Sequence, residues 1–179
     1  MRRVVPLTLS ALALSLATFA VHAAPADDWV LRYDGVGPLR IGMSFDQVNA
    51  AVGGVLQRTP AERLPTAGCE QIAVPGHRGV VLMITNDGLE RIDFLEPGAA
   101  TMAGVAVGAP VAQVLAAYPH IDHKVHAYDG AEQYLTLQQP GTTTAAQTGL
   151  AMRFVTAKGK VGEVIAGRLR EVSYIEGCL

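Results

Sequence analysis

Cysteine is scarce: only Cys69 and Cys178 occur in 179 residues. There is no Cys-x-x-Cys pair, which excludes the usual redox-active dithiol motif. There is no Gly-x-Ser-x-Gly elbow and no Ser-x-x-Lys, so the common serine-nucleophile signatures are missing. Basic residues are few and scattered, 14 Lys and Arg against 16 Asp and Glu. Binding to nucleic acid or anionic lipid relies on clustered cations that displace counterions, and no such cluster is present. Charged residues make up only 17% of the chain and hydrophobic ones 50%. That balance excludes a disordered chain and points to a packed core. Beyond the first two dozen residues no apolar stretch approaches the roughly 20 residues needed to cross a bilayer.

The beginning of the chain reads as an export signal. Arg2 and Arg3 supply the positive start, and residues 7–20 form an uncharged apolar run. Val21-His22-Ala23 then places small residues at the −3 and −1 positions of a cleavage site. The expected cut follows Ala23, with Ala24 the near alternative. Pro25 and Asp27-Asp28 come directly after, which does not suit a membrane anchor. No cysteine stands at the cut, so a lipid anchor there is excluded. The expected location is periplasmic or secreted. Without Arg2 and Arg3 the 14 basic side chains fall to 12 against 16 acidic ones, a formal charge of −4.

An even cysteine count in an oxidising compartment favours pairing. A Cys69–Cys178 bridge would close a loop of 109 residues. The chain-entropy treatment assigns such a loop about 4–5 kcal/mol at most.

One pattern occurs twice, at an offset of 66 residues. Residues 39–51 and 105–117 share Gly42/Gly108, Gln47/Gln113, Val48/Val114, Ala50/Ala116 and Ala51/Ala117. Leu39/Val105, Ile41/Val107 and Phe45/Val111 are apolar in both copies. Repetition of this kind implies one supersecondary unit used twice. Each copy reads as a short strand, a glycine turn and a short helix. Ser44 and Gln47 form a capping box for the first helix, and Pro110 opens the second. Gly53-Gly54 and Pro119 are stop signals.

Strands follow each helix. Residues 69–74 alternate as a strand, and 80–85 and 89–95 flank the hairpin signal Asn86-Asp87-Gly88. In the second half, 133–138, 150–156, 161–166 and 172–175 read as strands, with a turn at 157–160. The expected fold is α+β: two tandem helix-plus-antiparallel-sheet units, residues 24–98 and 99–179, with short helices on one face of the sheet. Residues 57–68 and 140–149 read as slack connections, with a recognition loop the alternative for each.

The Gly-x-x-x-Ile-Gly-Met-Ser-x-x-x-Val pattern at residues 37–48 resembles the opening motif of the outer-membrane-assembly lipoprotein family called SmpA/OmlA or BamE. The doubled unit resembles the beta-lactamase inhibitory protein fold. The resemblance implies a repeated helix-on-sheet scaffold whose concave sheet surface meets protein partners. It carries over no contact residue.

Candidate chemistry is sparse. His120, His123 and His126, with Asp122 and Asp129 nearby, have spacings that converge on Zn²⁺ or Cu²⁺ only in a helix. Pro119 has just ended one, and in a strand His123 would face away from the other two. Glu90 with Asp93, and Glu163 with Glu171, are the imaginable carboxylate pairs; exposed strand faces or ends are their expected places. Phe45, Phe94, Tyr118, Phe154 and Tyr174 read as core, and Trp29 as packed onto the sheet, with an exposed anchor the alternative. No catalytic residue, metal ligand or cofactor is assigned. The sequence therefore reads as an exported non-enzymatic binding protein for another extracytoplasmic protein: an inhibitor, an immunity-type protein or an envelope-assembly factor. A periplasmic metal or small-molecule binder, or a hydrolase of unfamiliar type, is the alternative.

Overall fold

The computed structural model describes residues 29–143 and 149–179. The expected export segment and the middle of the 140–149 loop lie outside the described residues. The chain opens with three short strands, β1 (Val30–Arg32), β2 (Gly35–Val36) and β3 (Leu39–Arg40), and helix α1 (Phe45–Ala51). A meander follows: β4 (Cys69–Ala73), β5 (Val80–Thr85) and β6 (Gly88–Phe94). Then come β7 (Ala100–Thr101) and α2 (Val111–Ala117). A second meander, β8 (Asp122–Val125), β9 (Gln133–Gln138), β10 (Leu150–Ala157) and β11 (Lys160–Arg168), leads into α3 (Leu169–Val172). The longer strands form one seven-stranded sheet in the order β4-β5-β6-β11-β10-β9-β8. The short ones form a four-stranded sheet, β3-β2-β1-β7.

This corrects the expected α+β body of two helix-plus-sheet units. The protein is mostly β, with two sheets and, among the described residues, three helices of seven, seven and four residues. The helices end at their expected stops, Gly53 and Pro119; the difference comes from the strands. The two meanders fuse: β6 pairs with β11, placing Phe94 opposite Val164 and Ile92 opposite Ala166. The strand expected at 172–175 is absent too. Leu169 and Val172, three residues apart, instead put one turn of α3 onto Ala151 and Ile165. Strand β8 escaped the sequence reading because all four of its residues are exposed and polarity does not alternate.

The local chemistry that starts the helices works as expected. Ser44 Oγ accepts from Gln47 N–H and Gln47 Oε1 accepts from Ser44 N–H, a reciprocal cap. Gly42 and Gly108 both adopt φ 89°. Gly42 N–H donates to Leu89 O at 2.7 Å, and Leu89 N–H returns to Met43 O. Gly108 N–H donates to Val161 O at 2.8 Å, and Val161 N–H returns to Ala109 O. Each glycine turn is thus laced to the start of a long strand.

One face of the large sheet is the core. Leu82, Ile92, Phe94, Phe154 and Leu135 pack there against Val48 of α1, Val114 of α2 and Leu31, Val36 and Leu39 of the small sheet. Burying each such side chain contributes about 1.5–3 kcal/mol.

Gly88 shows how tight the lacing is. A Cβ there would sit 2.6 Å from Met43 O, at φ 111°. Gly53 has positive φ but open space around it. Gly88→Ala is expected to cost about 3 kcal/mol or more, and Gly53→Ala about 1 kcal/mol. Urea unfolding of the two variants checks the ranking; equal costs would refute the close-approach account.

Candidate functional site

The other face of the large sheet carries the polar chemistry. Directly opposed residues share a face, and the register lines up Val81, Asp93, Ile165, Arg153, Thr136 and Asp122 across six strands. A neighbouring row runs Glu163, Val155, Tyr134 and Lys124. Toward β4 this face is covered by α3 and the C-terminal tail. Toward β8 it is open.

Arg91 anchors the covered part. Its Nε donates to Asp93 Oδ1, and its Nη1 donates to Glu171 O at 3.1 Å and Tyr174 O at 3.0 Å. Its Nη2 lies 3.9 Å from Glu163 Oε1. Burial pushes the Asp93 carboxyl up against the pull of Arg91. Glu163 is pushed up to about 7, first by desolvation and then by the charge of Asp93, with Arg91 and Arg153 opposing. The tail is pinned at its far end by the Cys69–Cys178 disulfide, as expected from the cysteine count, with Cα atoms 5.6 Å apart.

Between the tail and the β8–β9 hairpin lies a cleft of about 590 Å³. Tyr134, Thr136 and Arg153 form its floor, Val125 and Ala127 one wall, and Leu169, Ser173 and Ile175 the other. The Tyr128 hydroxyl donates to Glu176 Oε1, joining the hairpin to the tail. Arg153 is only 6% exposed. Its Nε donates to Thr136 Oγ1 at 3.2 Å, and its guanidinium lies over the Tyr134 ring at 4.9 Å. Among the described residues it has no ion pair and its terminal nitrogens have no hydrogen-bond acceptor. Desolvation lowers its pKa.

A second cleft of similar size borders the disulfide, lined by Asn86, Asp87, Arg170 and the tail. Glu171 reaches its edge and interacts with Glu90. Glu90 Oε2 pairs with Arg168 and Glu171 Oε1 with Arg170, while Glu90 Oε1 and Glu171 Oε2 are buried without a hydrogen-bond partner. Desolvation pushes the Glu90 carboxyl up, as does the charge of Glu171.

These positions correct the sequence reading of the acidic pairs. Glu90, Asp93 and Glu171 are buried rather than exposed, because α3 and the tail fold back over the sheet. Tyr174, expected in the core, is 41% exposed on that tail. Trp29 packs partly against the core and stacks on His77 at 3.6 Å. The histidines do not converge. His123 Nδ1 is 3.0 Å from Gln133 Oε1, while His126 packs against the Tyr134 ring and accepts from Tyr128 N–H. Asp129 accepts from Ala131 N–H, and Asp122 from Gln138. Among the described residues no group of three or more His, Cys, Asp or Glu side chains could hold a metal ion. Arg153 and Tyr134 went unnoticed in the sequence. Their signal was an arginine inside the apolar run Met152-Arg153-Phe154-Val155, beside a strand whose alternation puts Tyr134 and Thr136 on the same face.

No family model, curated protein or solved structure matches the chain. The resemblance to the outer-membrane-assembly lipoproteins thus rests on its own residues, 37–48.

Two measurements follow from this geometry. The native state holds the Glu163 proton more tightly than the unfolded chain does. Its stabilising contribution is therefore complete below pH 4.5 and is lost as pH rises through about 7. The stability difference between wild type and Glu163→Gln is expected to shift in favour of the variant by about 1–3 kcal/mol between pH 4.5 and 8; a constant difference would contradict this. Cys178→Ser is expected to lower stability by about 2–4 kcal/mol. Reductant should reproduce that loss in the wild type and change nothing in the variant.

Proposed function

We propose that this chain is an exported, non-enzymatic binding protein that holds a segment of another extracytoplasmic protein on the open face of its large sheet. An inhibitor, an immunity-type protein and an envelope-assembly factor all work in this way. The observation that carries the reading is the cleft beside β8. Ile175 lines it with 49% of its surface in solvent, Val125 ends β8 at its rim with 68%, and Tyr128, next to Ala127, reaches across to Glu176 with 69%. Single exposed apolar residues are ordinary; three around one concave surface form a docking patch. Strand β8 is also the last strand of the sheet, so one side of its backbone is open to a partner's extended segment. Its charges at Asp122 and Lys124, either side of the polar His123, discourage indiscriminate edge pairing.

The polar groups nearby support binding rather than catalysis. Arg91 and Asp93 are engaged with each other and with the tail, and both thiols are in the disulfide. The disulfide fits an oxidising compartment. Among the described residues no helix is long and apolar enough to cross a membrane.

Photocrosslinking side chains at positions 125 and 175, compared with positions 102 and 115 on the opposite layer, test the reading in the native host. A discrete adduct from 125 and 175 alone, competed by excess unlabelled protein, is expected. The same adduct from 102 and 115, or none from any position, would defeat the proposal.

A further inference from the structure

Among the described residues, Arg153 is the buried side chain of the cleft whose surroundings are incomplete. It is a cation nine-tenths buried, and among the described residues its partners are one neutral hydroxyl and one aromatic ring. A buried charge is ordinarily paired and fully hydrogen-bonded. The neighbouring carboxylates are committed elsewhere: Asp93 to Arg91 and Asp122 to Gln138. Glu163 makes its nearest approach to Arg91 and forms no ion pair with Arg153. The terminal nitrogens of Arg153 therefore face a cavity wide enough for several heavy atoms, with Lys124 also on its lining.

We propose that Arg153 is the anchor of a carboxylate subsite, and that the cleft takes the free C-terminal carboxylate of a partner polypeptide together with its last apolar side chain. This rests on the protein-binding reading above and names the chemistry of that same site. A planar guanidinium matches a carboxylate through two parallel N–H···O bonds. Phosphate fits less well: a dianion would also face the nearby carboxyl groups of Asp93, Glu163 and Asp122. Leu169 and Ile175 supply an apolar wall for a terminal side chain. The Tyr128–Glu176 contact joins the two walls and favours a chain end that enters over a segment that must pass through. Stacking on Tyr134 and the bond to Thr136 hold the guanidinium plane ready, which reduces the ordering cost on binding.

The test uses the purified protein and N-acetyl-Ala-Leu as free acid and as C-terminal amide, with acetate and inorganic phosphate as further probes. Titration followed at the Arg153 Nε–H resonance reads the site directly and requires no variant. The free acid is expected to shift that resonance with a dissociation constant of about 1 mM or tighter. The amide is expected to bind at least about tenfold more weakly, as is acetate. Arg153→Gln should abolish the difference between acid and amide, and the milder Lys124→Ala should weaken the acid about two- to threefold if Arg153→Gln does not fold. Equal binding of acid and amide, acetate binding as tightly as the peptide, phosphate displacing the peptide acid, or no binding of any probe would each overturn the assignment. Should the adduct from position 125 persist alongside such a result, protein binding stands and the carboxylate subsite falls. Loss of both removes both.

Discussion

At the Arg91 guanidinium, buried in the middle of the large sheet, three stretches of chain meet. Asp93 comes from the same strand, Glu163 from β11, and the carbonyls of Glu171 and Tyr174 from α3 and the tail. Arginine suits this position because its five donors lie in one plane and diverge. Breaking a buried pair by removing one partner costs about 3–5 kcal/mol, since the other charge is left without compensation. Here the loss would also release two main-chain carbonyls. The packing of Leu169 and Val172 onto Ala151 and Ile165 depends on the tail lying down on the sheet. The disulfide secures the tail's far end, and Cys178 N–H reaches Gln71 on β4. One wall of the cleft exists because these contacts hold that segment in place.

The local elements were legible in the sequence because each is decided by a few adjacent residues. Ser44 and Gln47 cap α1 through their own side chains. Asn86-Asp87-Gly88 turns the chain between β5 and β6, and Lys158 and Gly159, both at positive φ, turn it between β10 and β11. What was not legible is pairing between distant segments. Nothing near Phe94 indicates that Val164 will lie opposite it, and the consequence was large, since that one pairing merges two expected sheets into one. Strand β8 was missed for a related reason: an edge strand with solvent on both faces has no hydrophobic period to display. The signal at 172–175 was misread because Val172 and Tyr174, two apart, mimic strand alternation, whereas Val172 closes the turn of α3 and Tyr174 lies on the tail beyond it.

Buried charge was the other blind spot. The β5–β6 pairing slips by one residue between Met83 and Ile84, and Glu90 falls at that irregularity. Gly167, on the neighbouring strand, lies so close that a Cβ would be 2.2 Å from Glu90 O. A glycine directly after the apolar Val164-Ile165-Ala166 run, still within β11, was the trace of that close approach. The burial of Glu171 had no local trace, since it follows from where α3 lands. Sequence spacing alone made these residues look like surface carboxylates, although the tail encloses them.

The polar face also shows why net charge is a poor guide to what this surface accepts. The chain as a whole is formally negative, at −2, and the polar face of the large sheet carries Asp93, Glu163 and Asp122. Yet Asp93 is spent on Arg91, and Glu163 lies between two arginines in surroundings that hold its proton up to about pH 7. A carboxyl group that is half protonated near neutrality screens its neighbours incompletely. The positive charge of Arg153 therefore survives locally inside an acidic protein. Because it is desolvated, that charge acts over a few ångströms with more force than the scattered surface carboxylates exert through water. Recognition at such a place is set by the pairing of one fork with one anion, and the long-range field of the chain affects chiefly how often a partner arrives.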